Sequence, residues 1–383
     1  RIMKKTNLIF SFLLLFISSA CSQNENYPPI QDFDESSFEL VKIIDGIDIP
    51  WGLAFTDNDS FLVTDKKGIL YHVSDNEKKI INGIPKIIFS RQGGLLDVAV
   101  DANFKENNRI YLTASVSDSN NGSNTSLYSA TLSEDNLTNL KQLYKATPDS
   151  QEERHFGGSI LLKGQYIFFT IGDRGNRDVN PQDINLDGGK IYRLNLDGSI
   201  PDDNPFIGID NSKEAMWSYG HRNPQGIIDG LNDNEIWIHE HGPRGGDEIN
   251  IILDPKPGEN PLNRNYAWPK ATYGINYSGS EITKKRTLDG TIDPFYYWTP
   301  SIAPSGMAMI KDSQIYSDWS NTLLVGSLSF RYLERLVFDN SGIVKREKLF
   351  PRVGRVRDVN ISPDGYVYIC LLYTSDAADE LTS

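Results

Sequence analysis

The 383 residues are 39% hydrophobic, 23% charged and 11% aromatic, the balance of a chain that folds around a core and not of a disordered one. That length makes one large globular unit or two ordinary domains. The formal net charge of -13 excludes a broad nucleic-acid footprint, because phosphate binding needs a basic surface.

The chain opens with Met3, Lys4 and Lys5, an apolar run from Leu8 to Ile17, and Ser18-Ser19-Ala20-Cys21. A basic head, a short apolar stretch and small residues predict a signal peptide over residues 1–21. The run is too short for a spanning helix, which needs about 20 residues. Ala20-Cys21 resembles the lipobox of bacterial lipoproteins, with Ser18 where Leu is usual. An ordinary cleaved signal with an incidental cysteine is the alternative. The expectation is an exported protein of a Gram-negative bacterium, periplasmic or held at the outer membrane by a lipid on Cys21. Residues 22–38 read as a flexible tether. Cys370 is the only other cysteine, so no intrachain disulfide is needed. Arg1 and Ile2 precede Met3, and the pattern breaks at Cys370. Both ends are therefore expected to carry non-native residues, 370–383 among them, with the true C-terminus missing.

Between residues 39 and 369 a loose repeat recurs. Short apolar strands follow a Gly or small residue and are punctuated by Gly, Asn, Asp and Pro. It runs from Trp51 through Phe61 to Gly68, then from Gly94 through Arg109, then from Gly158 through Tyr166 to Gly189. It returns at Gly226 through Glu235 to Asp247 and at Gly306 through Leu323 to Leu333. A sixth copy starts at Asp358 and stops early. No helical period persists for three turns. Six units of three or four strands predict an all-β, six-bladed β-propeller, which protects its strand edges by radial repetition. A two-domain β-sandwich is the alternative, but no low-complexity linker divides the chain. The long insertions 175–187 and 254–297 are expected on one face, where loops carry function.

Polar residues cluster at the strand ends. His155 precedes a strand, and Asp173 returns 18 residues later across a hairpin. A carboxylate on one imidazole nitrogen fixes the tautomer and leaves the other nitrogen as a general base. A strand-end histidine taken alone is more often structural. His239 and His241 share a strand face, an incomplete transition-metal pair. The loop from Gly242 to Glu248 offers bare carbonyls and carboxylates, which suit Ca²⁺, or forms an ordinary Gly-Pro turn. Arg222, Arg355 and Arg357 stand at equivalent places. Arg355 and Arg357 point to one strand face, and paired guanidiniums bind planar carboxylates. Such a site in an acidic protein fits a small multi-anionic ligand.

From about residue 40 to 369, ten segments in order resemble the soluble glucose and aldose sugar dehydrogenases that depend on pyrroloquinoline quinone (PQQ). They begin at Pro50, Gln92, His155, Ile171, Gly189, Tyr219, Glu240, Asn265, Pro300 and Arg355. The resemblance implies oxidation of an aldose at the anomeric carbon to a lactone, with hydride passing to PQQ. It implies His155 as general base, Asp173 as its orienting carboxylate and Arg222 as the charge that stabilises the reduced quinone oxygen. Gln92, Arg222, Asn223, Arg355 and Arg357 match PQQ contacts. Gln92, Asp247 and Trp298 match positions near the sugar. Gly242 and Pro243 match the carbonyls on the catalytic Ca²⁺, and Glu248 and Tyr266 resemble ligands of a second calcium. Three departures stand out. Ser329 occupies the place of a PQQ-contacting lysine, with Arg331 as a candidate substitute. His241 stands where the glucose enzymes carry Gln. The last residues do not match. A Ca²⁺-dependent propeller lactonase and a non-catalytic carbohydrate- or protein-binding propeller are the competing readings. The downstream electron acceptor is not specified.

Overall fold

The structure, a computed structural model, describes residues 27–118 and 121–372. The expected leader, Cys21 and the tail after Leu372 lie outside the described residues.

Strand-forming sequence, punctuated by turns, produces successive antiparallel meanders. Blade 1 comprises Pro50–Asp57, Ser60–Asp65, Ile69–Ser74 and Glu77–Ile81. Blade 2 comprises Leu95–Val100, Arg109–Val116, Asn124–Ser133 and Asn136–Lys145. Blade 3 is Ile160–Lys163, Tyr166–Ile171, Lys190–Asn195 and Met216–Tyr219. Blade 4 is Pro224–Asp229, Glu235–Glu240, Asp247–Leu253 and Tyr296–Trp298. Blade 5 is Pro304–Ile310, Thr322–Ser327, Leu333–Asp339 and Gly342–Leu349. The first strands of the sheets pack against one another and surround a common axis. This is a β-propeller, not a sandwich. Apolar clusters fill the spaces between blades: Leu62, Leu70, Ile110 and Leu112 join blades 1 and 2, and Trp237, Ile249, Leu323 and Val325 join blades 4 and 5. Each such side chain contributes about 1.5–3 kcal/mol on burial.

The expectation of a six-bladed propeller is corrected. Five sheets are complete, while the sixth position holds only Arg355–Ile361 paired with Val367–Leu372 among the described residues. The alternation that makes these two strands gives way in sequence to small and acidic residues. The tail boundary also moves. Cys370 is buried and pairs with Asp358, so residues 370–372 belong to the propeller. The tether is shorter than expected as well. Ile30–Asp32 pairs in parallel with the outer strand of blade 5, and the Phe33 and Phe38 rings pack on Trp319 with centroids 5.4 and 5.2 Å away. These apolar anchors offset the entropy of ordering the segment.

Two half-buried aspartates join inner strands across blades. Asp97 Oδ2 accepts from Ile160 N–H at 2.8 Å, linking blade 2 to blade 3. Asp358 Oδ2 accepts from Leu53 N–H at 2.9 Å, linking the sixth unit back to blade 1. The close approach requires Gly52, since a Cβ there would lie 2.4 Å from Asp97 Oδ1. Burial, and then the charge of Asp358, pushes Asp97 up to about 7; burial pushes Asp358 up to about 6. Both pKa values exceed the unfolded carboxylate value, so their stability contribution is full below about pH 4 and is lost as pH rises through 6 and 7. The melting temperature is expected to fall over that window, with a shallower slope in Asp97→Asn. Parallel curves for the two proteins would refute this assignment.

Candidate active site

Starts of first strands and ends of second strands come out on one face of the propeller. Gln92 and His155 precede the first strands of blades 2 and 3, and Arg222 and Asn223 precede that of blade 4. Arg355 and Arg357 begin the sixth unit. Asp173 follows the second strand of blade 3, and Gly242 and Pro243 follow that of blade 4.

The hairpin pairing expected for blade 3 is present. His155 Nδ1 donates to Asp173 Oδ1 at 2.6 Å, and both residues are buried. His155 sits at φ +56°, an uncommon conformation outside glycine, and Gln92 Oε1 accepts its backbone N–H at 2.7 Å. The approach of the two strands requires Gly172: a Cβ there would lie 2.2 Å from the His155 carbonyl oxygen. His155 Nε2 is buried and has no hydrogen-bond partner. Burial, then the nearby Arg222 charge, pushes His155 down to about 4, so the ring is neutral at neutral pH. Burial works against the Asp173 charge, but His155, Arg222 and the Trp268 indole outweigh it and hold the carboxyl below the usual range.

Arg222 reaches the loop of blade 4. Its Nη1 donates to the carbonyls of His241 and Gly242 at 3.0 and 2.9 Å, and it shares a hydrogen bond with the Tyr277 hydroxyl. Its backbone N–H bonds Glu240 Oε2, while Glu240 Oε1 accepts from His221 Nδ1 at 2.9 Å. His221 Nε2 lies 2.9 Å from Ser218 Oγ. This Ser-His-Glu line is sealed inside the protein, with Ser218 and His221 0% exposed. It anchors Arg222 and offers no open nucleophile. Asn223 Oδ1 accepts from Gly157 N–H at 3.2 Å and Gln225 Nε2 at 3.1 Å. Arg357 Nη2 donates to Gln225 Oε1 at 2.9 Å, and its guanidinium lies 3.7 Å from the Trp51 ring centre. Arg355 Nε donates to the Leu328 carbonyl at 3.3 Å.

Two positions expected near the sugar have other work. Asp247 is 0% exposed and accepts from Gly242 N–H, Ser301 Oγ–H, Ile302 N–H and Ala303 N–H. Its oxygens are committed to holding two loops together. Trp298 packs between blades 4 and 5, where its Nε1 donates to Glu334 Oε2 at 3.2 Å. The strand register that pairs Asp247 with Trp298 turns that ring into the core.

The expectation of a catalytic Ca²⁺ rests on backbone oxygens. Among the described residues, no three His, Cys, Asp or Glu side chains converge to hold a metal. The Gly242 carbonyl has the hard-donor character that Ca²⁺ prefers, although it accepts from Arg222 here. Burial, then the charge of Glu240, raises Glu248 well above the usual carboxylate range, so a cation beside it would be welcome. The Tyr266 hydroxyl donates to the Ile251 carbonyl at 2.9 Å, and its ring stacks on His221. His241 Nε2 donates to the Pro304 carbonyl at 2.6 Å.

Four contributors had no role in the sequence reading: Trp51, Glu240 and Trp268, which stand in the resembling segments, and Lys66, which stands in none. Lys66 directly follows the second strand of blade 1, much as Asp173 and Ser329 follow the second strands of blades 3 and 5. Its Nζ donates to the Arg91 carbonyl at 2.7 Å and lies 4.6 Å from the Trp51 ring centre. Repeat position was the signal that could have found it. Ser329 donates its backbone N–H to the Ile302 carbonyl, and Arg331 is exposed.

Comparison with known proteins agrees with this arrangement. The family model for glucose/sorbosone dehydrogenase matches residues 47–379. Aldose sugar dehydrogenase YliI of Escherichia coli (strain K12) is 36% identical over 346 residues, covering 88% of this chain and 90% of that protein. Quinoprotein glucose dehydrogenase B of Acinetobacter calcoaceticus is 28% identical, covering 88% and 86%. The crystal structure of the soluble E. coli aldose sugar dehydrogenase in its apo-form superposes with a TM-score of 0.78 at 35% identity, covering 84% and 93%. The PQQ-bound aldose sugar dehydrogenase of Streptomyces coelicolor, at 24% identity and a TM-score of 0.70 over 87% and 90%, shares the fold. With its propeller, its buried histidine–carboxylate pair and a match spanning nearly the whole propeller, the chain belongs to the glucose/sorbosone dehydrogenase family of oxidoreductases.

Proposed function

We propose that this protein oxidises aldose sugars at the anomeric carbon to lactones, using PQQ and Ca²⁺. The observation that carries the reading is His155: its Nδ1 is fixed on Asp173, and its Nε2 is buried, neutral and without a partner. An imidazole held this way takes the proton from an anomeric hydroxyl placed within reach of Nε2. Gln92 holds the His155 backbone, and Asp173 holds the ring. Arg222 presents a fixed positive charge near this proton acceptor, where charge develops as the sugar is oxidised.

The residues fit an anionic quinone cofactor. Arg222, Arg355, Arg357 and Lys66 line the same face, and Gln92 and Asn223 add polar atoms between them. When bound, PQQ would accept the hydride, and Ca²⁺ on the Gly242 and Pro243 carbonyls would polarise the quinone. The word quinoprotein in the A. calcoaceticus relative's name supports the cofactor reading, and the E. coli relative's name supports the aldose. The order of Met3 to Cys21 supports an exported protein anchored through Cys21, a proposal that mass spectrometry of the mature N-terminus would check.

Reduction of a redox dye by aldoses should appear only when PQQ and Ca²⁺ are supplied. A chelator should abolish it and lower the melting temperature of the loaded protein, because a ligand bound only to the folded state stabilises it. Dye reduction by protein shown to be free of metal and quinone would end this reading. Sugar-lactone hydrolysis without dye reduction would favour the lactonase instead.

A further inference from the structure

Asp173 has a third partner besides His155 and the backbone. Trp268 Nε1 donates to Asp173 Oδ2 at 2.9 Å, while Oδ1 receives His155 Nδ1–H and Gly175 N–H. The indole comes from the long insertion of blade 4 and crosses to the second strand of blade 3. It is built in firmly. Trp268 is buried, its backbone N–H donates to the Gly220 carbonyl, and its own carbonyl accepts from Gln182 Nε2 at 2.8 Å. The ring centre lies 5.5 Å from the Arg222 guanidinium.

We infer that Trp268 is a positioning residue: its indole N–H sets both the rotation of the Asp173 carboxylate and the basicity of His155. Two physical consequences give it that role. A carboxylate with one oxygen on Trp268 and the other on His155 has a single orientation, and so has the imidazole. The donated hydrogen bond also stabilises the negative charge on Asp173 and draws it away from the imidazole. His155 then binds a proton less tightly than it would beside an unshared carboxylate. The same ring flanks Arg222, so one side chain from blade 4 touches both the charge and the carboxylate that frame the proton acceptor. The inference rests on His155 as the base, and its test is arranged to separate the two.

The test uses Trp268→Phe, which keeps the aromatic packing and removes only the donor. The chain has five histidines, so selective ¹⁵N-histidine labelling of the full-length protein permits assignment of His155. In the protein without added cofactor, the His155 titration is expected to move to higher pH by about one unit, the size that loss of one charge-assisted hydrogen bond supports. In PQQ- and Ca²⁺-loaded protein, kcat should fall about tenfold with KM little changed, and the acid limb of the pH profile should move the same way. An Asp173→Asn background supplies the control. If Trp268 acts through Asp173, Trp268→Phe should no longer move the His155 titration there. An unmoved titration in the single variant, or an equal shift in both backgrounds, overturns the inference. A shifted titration in a protein that never oxidises sugars would keep the inference about Trp268 and defeat the proposed reaction.

Discussion

His155→Ala is expected to lower kcat for aldose oxidation by about 10²–10⁴-fold, the range seen when a general base is removed. The expectation follows from the buried, partnerless Nε2 and from the 2.6 Å bond that ties Nδ1 to Asp173. Alanine leaves the backbone N–H on Gln92 and leaves Arg222 on its loop, so PQQ affinity should stay near the parent value. Asp173→Asn should lower turnover as well, because an amide can offer its N–H to Nδ1 and stabilise the tautomer that carries its proton on Nε2. The measurements are steady-state dye reduction with a saturating aldose and a PQQ titration followed by absorbance. Turnover of His155→Ala close to the parent's would remove the histidine from the chemistry.

The largest stability effect is expected at Asp247. Its carboxylate collects Gly242 N–H, Ile302 N–H, Ala303 N–H and the Ser301 hydroxyl, which joins the blade 4 loop to the entry of blade 5. In Asp247→Ala those donors stay buried without an acceptor, at about 1–3 kcal/mol each. Part of that loss is offset, because burial already pushes the Asp247 carboxyl up to about 6 and its charge is costly to hold. A net loss of about 2–4 kcal/mol is expected, a large share of the 5–15 kcal/mol that keeps a domain folded. Asp247→Asn, which retains one carbonyl acceptor, should lose less. Urea unfolding of the three proteins gives the comparison. If the alanine variant matched the parent in midpoint and slope, the staple would contribute nothing. The same experiment separates a staple from a sugar ligand, since loss of a sugar contact would raise KM and leave unfolding unchanged.

The site was legible wherever its residues are close in sequence. His155 and Asp173 are 18 residues apart on one hairpin, and hairpin geometry alone brings them together. The repeated strand pattern likewise carried the propeller, because period-two patterning and turn residues are local properties. Ring contacts were not legible. Trp268 meets Asp173 across 95 residues, and Asp358 meets Leu53 across 305. Such pairings depend on how many blades close and at what radius. They also set the partners of Trp298 and Asp247: the Trp298 ring lies in the core between blades 4 and 5, and the Asp247 carboxylate sits among donors from the 301–303 loop. Local sequence therefore determined the strands, the hairpin pair and the family. Tertiary structure decided the partners of each charge, because burial removes water and leaves every polar atom to whichever group the fold brings beside it.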